Sequence, residues 1–332
     1  MLLWTAWPGM SGPDPAPVPD EFEQIAELFR PLTRGDPGAL DLLDDAAILP
    51  AQQGQDMVVT QDALVEGVHF PVGEAPEVVA ARFLRVNLSD LAAKGAEPFA
   101  WLQSLAWSPD WPLAKRRAFA AGLASEAAVF GINLLGGDTV STPGPFMVSG
   151  TFFGRCPSGG MVRRSGARPG DLLAVSGPIG DSWLGLRALR GEVADPGGEL
   201  ALKFRRPTPR LDLRELVRSH ASAAADISDG LVADARHIAR ASGCGVRIDL
   251  DLIPLSPGAR LWLSGEPDAC GARIALASGG DDYELVLAAR PESQAALLSA
   301  GCTVIGCFVE GASCVLYEGR EIEAGAGGWR HD

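Results

Sequence analysis

Asp226-Ile227-Ser228-Asp229-Gly230-Leu231 follows the apolar run 221–225 and stands where a helix over 231–242 should begin. Two carboxylates three residues apart flank a hydroxyl there. Ser228 or Asp229 can serve such a position as an ordinary N-cap. The same oxygen-only set also suits a hard divalent cation such as Mg2+.

Outward from this stretch, the second half alternates strands (172–176, 246–250, 283–288, 303–309) with helices (181–190, 210–219, 231–242, 291–300). The first half opens with Asp20-Glu21-Phe22-Glu23, a capping box, and Phe22, Ile25, Ala26 and Phe29 follow at helical spacing until Pro31. Residues 57–60 read as a buried strand. Residues 77–94 predict a helix ending at Gly95, apolar nearly all round and therefore buried. A strand over 99–106, a helix over 112–130, a short strand over 132–135 ending in Gly136-Gly137-Asp138, and a strand over 146–153 complete it. The pattern predicts two α/β or α+β domains. The divisions expected are a Pro-rich extension over 1–19, one domain over 20–155 and a second over 156–332.

The chain has 332 residues and a net charge of −14, from 42 acidic and 28 basic residues. Such a surface repels nucleic acid and anionic membranes. None of Lys94, Lys115 and Lys203 lies in a P-loop, and no kinase H-R-D or D-F-G set occurs. The six cysteines form no C-x-x-C pair and read as reduced thiols of a cytoplasmic protein. No basic residue precedes Arg30, as a signal peptide would need. No run of about 18 apolar residues predicts a membrane helix.

Carboxylates recur at the ends of apolar segments: Asp44/Asp45, Asp62, Asp90, Asp138, Asp226/Asp229 and Asp281/Asp282. Asp90 falls on the helix side lined by Val79, Phe83 and Val86. A lone ionised carboxylate buried there costs several kcal/mol, of order, so it needs a cation or strong donors. Lys94, one turn later, is the competing partner. Thr60 and Asp62 offer oxygen ligands at a strand end, and the two glycines before Asp138 let backbone approach a phosphate. An acidic protein without a P-loop can still bind a nucleoside triphosphate if bridging Mg2+ ions neutralise the phosphates.

These segments resemble the thiamine-monophosphate kinase family, of the aminoimidazole-ribonucleotide-synthetase-like superfamily. The resemblance is carried by Asp44-Asp45-Ala46-Ala47, Thr60-Gln61-Asp62, Glu66-Gly67-Val68-His69-Phe70, Val86-Asn87-Leu88-Ser89-Asp90-Leu91-Ala92-Ala93, Gly136-Gly137-Asp138-Thr139, Arg164-Ser165-Gly166-Ala167, the opening stretch, and Gly279-Gly280-Asp281-Asp282-Tyr283-Glu284-Leu285. It implies ATP-dependent, multi-Mg2+, in-line phosphorylation of thiamine monophosphate to thiamine diphosphate. It also implies a two-domain fold whose N-terminal domains pair into a dimeric β-barrel.

By this resemblance Asp45, Thr60, Gln61, Asp62, Asp90, Asp138, Asp226 and Asp229 are metal ligands, with Asp45, Asp62, Asp90, Asp138 and Asp226 central to catalysis. Gly137, Asp138, Arg164 and Ser228 are nucleotide contacts. His69, Asp281 and Trp329 are acceptor contacts, although Asp281 stands where the family usually has Glu. A guanidinium pairs bidentately with phosphate oxygens, which gives Arg164 an independent rationale. The acceptor-binding E-G-V-H-F stretch and Trp329 favour thiamine monophosphate. Other superfamily reactions (aminoimidazole ribonucleotide, selenophosphate or hydrogenase-maturation types) and a non-catalytic binding homologue stay open at this point.

Overall fold

The computed structural model describes residues 20–43 and 46–323. At its start the capping box is reciprocal: the Glu23 amide donates to Asp20 Oδ1 at 2.8 Å, and the Asp20 amide to Glu23 Oε2 at 2.9 Å. Helix α1 (Glu21–Gln24) runs on through a π turn (Ile25–Phe29) and a 3-10 turn (Arg30–Thr33). Pro31, expected to stop the helix, lies instead in the first turn of the 3-10 segment. A missing N–H costs little at that position.

The first half then runs β1 (Gln55–Val65), α2 (Pro76–Ala93), β2 (Glu97–Trp107), α3 (Leu113–Phe130), β3 (Asn133–Ser141) and β4 (Met147–Pro157). The sheet order is β1-β4-β2-β3. β4 pairs antiparallel with β1 and β2, and β2 pairs parallel with β3. Within one chain this sheet is open, with β1 and β3 at its edges. Helix α2 packs on it through Val79, Phe83 and Val86, all buried as the periodicity predicts. Gly122 lets α3 cross close to α2, because a Cβ there would lie 2.8 Å from Glu77 Cα. Trp111 stacks on Phe146 with centroids 3.9 Å apart, closing that core.

The second half comprises β5 (Leu172–Val175), α4 (Asp181–Leu189), α5 (Glu199–Arg205), α6 (Arg214–His220), β6 (Ala221–Asp226), α7 (Leu231–Ser242), β7 (Gly245–Asp249), α8 (Pro257–Ser264), α9 (Ala269–Ser278), β8 (Leu285–Ala289), α10 (Gln294–Ser299), β9 (Thr303–Val309), β10 (Cys314–Tyr317) and β11 (Arg320–Ile322). Its seven-stranded sheet has the order β11-β10-β7-β9-β5-β8-β6. The strand expected over 283–288 begins only at Leu285, because 279–284 forms a loop. The helix α2 joins the halves. Its last turn places Ala92 and Ala93 in the same apolar cluster as Ala224, Leu285 and Leu287. That junction sets Asp90, two residues earlier, between the two sheets.

Candidate active site

The site is built where β1, α2, β6 and the 279–284 loop meet. Asn87, fully buried on α2, accepts the Asp62 amide on Oδ1 at 2.9 Å and donates Nδ2 to the Phe83 carbonyl at 2.9 Å. This clamp fixes β1 against α2 and with it the position of Asp62. Thr60 shares a strand face with Asp62 and donates its hydroxyl to Asp90 Oδ2. Lys94 does not take up Asp90. Its Nζ donates to the Ala224 carbonyl at 2.8 Å, and burial lowers its pKa.

From the other half, β6 delivers Asp226, buried at the end of the strand. The loop that follows is organised by Asp234, in the first turn of α7. One oxygen, Oδ2, accepts the amides of Ser228 (3.1 Å), Asp229 (3.1 Å) and Gly230 (3.2 Å). The loop is zipped to 279–284: the Asp281 amide donates to the Ser228 carbonyl at 2.8 Å, and the Tyr283 amide to the Ile227 carbonyl at 2.9 Å. Gly280 has φ +73°, and a Cβ there would lie 2.5 Å from the Ser228 carbonyl oxygen, so only glycine fits this approach. Asp281 (φ 62°) and Tyr283 (φ 52°) also adopt left-handed backbone. Each such residue costs on the order of 1–3 kcal/mol, held here by the surrounding bonds.

These elements enclose a cavity of ≈ 770 Å³ whose lining includes Gln61, Asp62, His69, Asp90, Arg164, Asp226, Ser228, Asp229 and Asp281. Trp183, Phe204 and Tyr283 supply aromatic surface to it. Burial, then the neighbouring Asp90 charge, pushes the Asp62 carboxyl up to about 6. Burial, then the charges of Asp90 and Asp234, raises Asp226 well above the ordinary carboxylate range. Three arginines near the cleft are committed to acids outside the Asp62, Asp90 and Asp226 set: Arg82 to Asp281 at 2.6 Å, Arg85 to Glu126 at 2.8 Å, and Arg210 to Glu284 at 2.8 Å. An oxygen-only donor set under this mutual repulsion fits a hard divalent cation.

The remaining sequence-derived residues fall in different places. The Gln61 side chain donates Nε2 to Ser149 Oγ at 3.2 Å, across to β4. His69 Nδ1 accepts the Val65 amide at 3.1 Å, which leaves a neutral ring with its proton on Nε2. Gly137 and Asp138 lie on edge strand β3, away from the cavity lining. A Cβ at 137 would lie 1.9 Å from the Gln103 carbonyl oxygen, so strand contact alone demands this glycine. Asp138 is exposed, and its Oδ1 accepts the Thr139 amide at 2.9 Å. Asp45 and Trp329 lie outside the described residues.

Sequence reasoning passed over Asn87, Arg82, Asp234 and Trp183. Arg82 had a signal, since a cation inside a helix apolar all round needs a buried acceptor. Asp234 had one too, because an acid in the first turn of a helix suits its free amides. Trp183 had none beyond being an aromatic residue.

Two halves that share one acidic cleft define the class. The chain belongs to the AIR synthase related family: the N-terminal domain family matches residues 43–156 and the C-terminal domain family residues 168–317. Within that family its relatives include thiamine-monophosphate kinases. That of Caulobacter vibrioides is 53% identical over 335 residues, covering 99% of this chain and 95% of the relative. The crystal structure of thiamine-monophosphate kinase from Stenotrophomonas maltophilia K279a is 36% identical, with a TM-score of 0.75, over 85% of this chain and 91% of that one. The structure of AaThiL complexed with AMPPCP and TMP is 31% identical, with a TM-score of 0.77, over 85% and 89%.

Proposed function

We propose that the chain transfers the γ-phosphoryl group of ATP to thiamine monophosphate, giving ADP and thiamine diphosphate, by direct in-line displacement in the cleft between its halves. The observation that carries this is the meeting of Asp62 and Asp90 with Asp226 and Asp229 on one cavity that also holds Arg164. Relatives of the same name support the choice of substrates, as does the neighbour complexed with an ATP analogue and TMP.

Asp62, Asp90, Asp226 and Asp229, with the Thr60 hydroxyl, would hold Mg2+, and by resemblance Asp45, Asp138 and the Gln61 backbone carbonyl complete the set. Bound there, the ions would shield the phosphate charge that a net charge of −14 otherwise repels. Arg164 pairs with phosphate oxygens, and the Ser228 hydroxyl donates to them. The zipped loops 227–230 and 279–284 hold Ser228 and Asp229 in place before substrate arrives, which favours a reaction that depends on positioning. His69 donates Nε2–H to the acceptor phosphate. Trp183 and Phe204 offer apolar walls to the acceptor rings, and Trp329 packs on the cationic thiazolium. Asp281 reaches the acceptor only with the oxygen that Arg82 leaves to it.

A homodimer would close the open first sheet and bring the Gly137-Asp138 edge into nucleotide binding. The protein works in the cytoplasm, and among the described residues no helix is long and apolar enough to cross a membrane. The test is product formation. Purified protein with ATP, Mg2+ and thiamine monophosphate should yield thiamine diphosphate, detected by fluorescence after oxidation. Nucleotide binding without product at any Mg2+ concentration favours a non-catalytic homologue.

A further inference from the structure

One buried polar atom beside the cleft has no partner. Asp234 Oδ2 is saturated by three amides, but Oδ1, on a side chain that is 1% exposed, accepts nothing. A buried carboxylate oxygen without a donor is costly and calls for a ligand. Asp234 belongs to the trio Asp229, Asp234 and His237, which brings one ligand atom from each residue within 4.8 Å of one another. His237 stands three residues after Asp234 on α7, on the same helical face, and is exposed.

We propose that Asp229, Asp234 and His237 bind a divalent transition-metal ion at the rim of the cleft, a site that shares Asp229 with the proposed Mg2+ set and draws its other two ligands, Asp234 and His237, from outside it. Two carboxylates and one imidazole suit Mn2+, Co2+ or Zn2+ better than Mg2+, which prefers oxygen alone. Metal–ligand bonds of about 2.1 Å place donors roughly 3–4 Å apart, so a small rotation of exposed His237 closes the trio. Water fills the remaining positions from the solvent side. Arg164 lines the same cavity as Asp229. The ion and Arg164 would then flank the same cavity. Because Asp229 also lines that cavity, occupancy of the rim site positions one cleft ligand.

The test is diffraction from crystals of the full chain soaked in Co2+, with anomalous maps, alongside calorimetric Co2+ titration in solution. A Co2+ peak within bonding reach of Asp229, Asp234 and His237 is expected. His237→Ala, a surface change that spares the fold, should abolish the peak and weaken that binding event at least about tenfold. Asp90→Asn, which removes a cleft ligand only, should leave the peak in place. The proposal is overturned by cleft peaks with none at the trio, by a peak that survives His237→Ala, or by one that disappears with Asp90→Asn.

Discussion

Arg82 Nη2 lies 2.6 Å from Asp281 Oδ1, and this ion pair ties α2 of the first half to the strained loop of the second. The guanidinium is almost fully buried. It also donates Nε to the His69 carbonyl at 3.1 Å and Nη1 to the Phe204 carbonyl, and its Cζ stands 4.1 Å from the Phe204 ring centroid. One side chain thus holds the His69 turn, α5 and the Asp281 loop together. Arg82 is buried but Asp281 is one-third exposed, so water can solvate the carboxylate left behind, and losing the guanidinium's bonds costs about 1–3 kcal/mol. Arg82→Met should therefore lower the free energy of unfolding by about that amount in urea melts. Asp281→Asn keeps an acceptor and should cost about 1–3 kcal/mol. Losses below about 1 kcal/mol in both would deny the pair its role.

Asp90→Asn should lower kcat on the order of a hundredfold or more, as losing one preorganised charge at a reacting centre does. Asn retains an oxygen that accepts the Thr60 hydroxyl, so the far-UV circular dichroism and the melting temperature should stay close to wild type. Unchanged kinetics in this variant would take Asp90 out of the reaction.

His69→Ala should raise the KM for thiamine monophosphate roughly tenfold, the worth of a hydrogen bond to a charged phosphate. The KM for ATP should move much less. Equal effects on both would reassign the imidazole to holding the turn through its bond with the Val65 amide.

Asp282 provides a pH handle outside the acidic cluster. Its two oxygens accept the Gly180 amide at 2.9 Å and the Ser182 amide at 3.3 Å, yet burial outweighs them and raises its pKa well above the ordinary range. A folded-state pKa above the unfolded one means that the native state binds more protons in between. The stabilisation is complete below the unfolded value, near 4, and is lost as pH rises through the folded value. Asp282→Asn should flatten that fall in unfolding free energy, measured between pH 4 and 9. A slope as steep in the variant would assign the loss to other groups.

Much of the layout was legible because periodicity follows burial. The capping box at Asp20, the buried face of α2 and the helix after Gly230 are where spacing puts them. The Ala-rich stretch of β6 shows in the sequence only as an apolar run, because alanine favours helix and its strand state comes from neighbours on the sheet. The end of the 279–284 loop looks like strand in the sequence, because left-handed backbone at Asp281 and Tyr283 rests on bonds to Ser228 and Ile227, far away in sequence. The acids Asp62, Asp90, Asp226 and Asp229 stand out in the sequence as polar residues beside apolar runs, and the structure gathers them on one cavity. What spacing could not reveal was partner choice: Lys94 turning to Ala224 rather than Asp90, and Arg82 claiming Asp281.

The most direct test of the account is a single turnover with enzyme in excess of γ-labelled ATP, in the presence of Mg2+ and thiamine monophosphate. Label should pass to thiamine diphosphate at the rate at which ATP disappears, with none retained on the protein. Label recovered as inorganic phosphate, on the protein, or still in ATP would contradict direct transfer in this cleft.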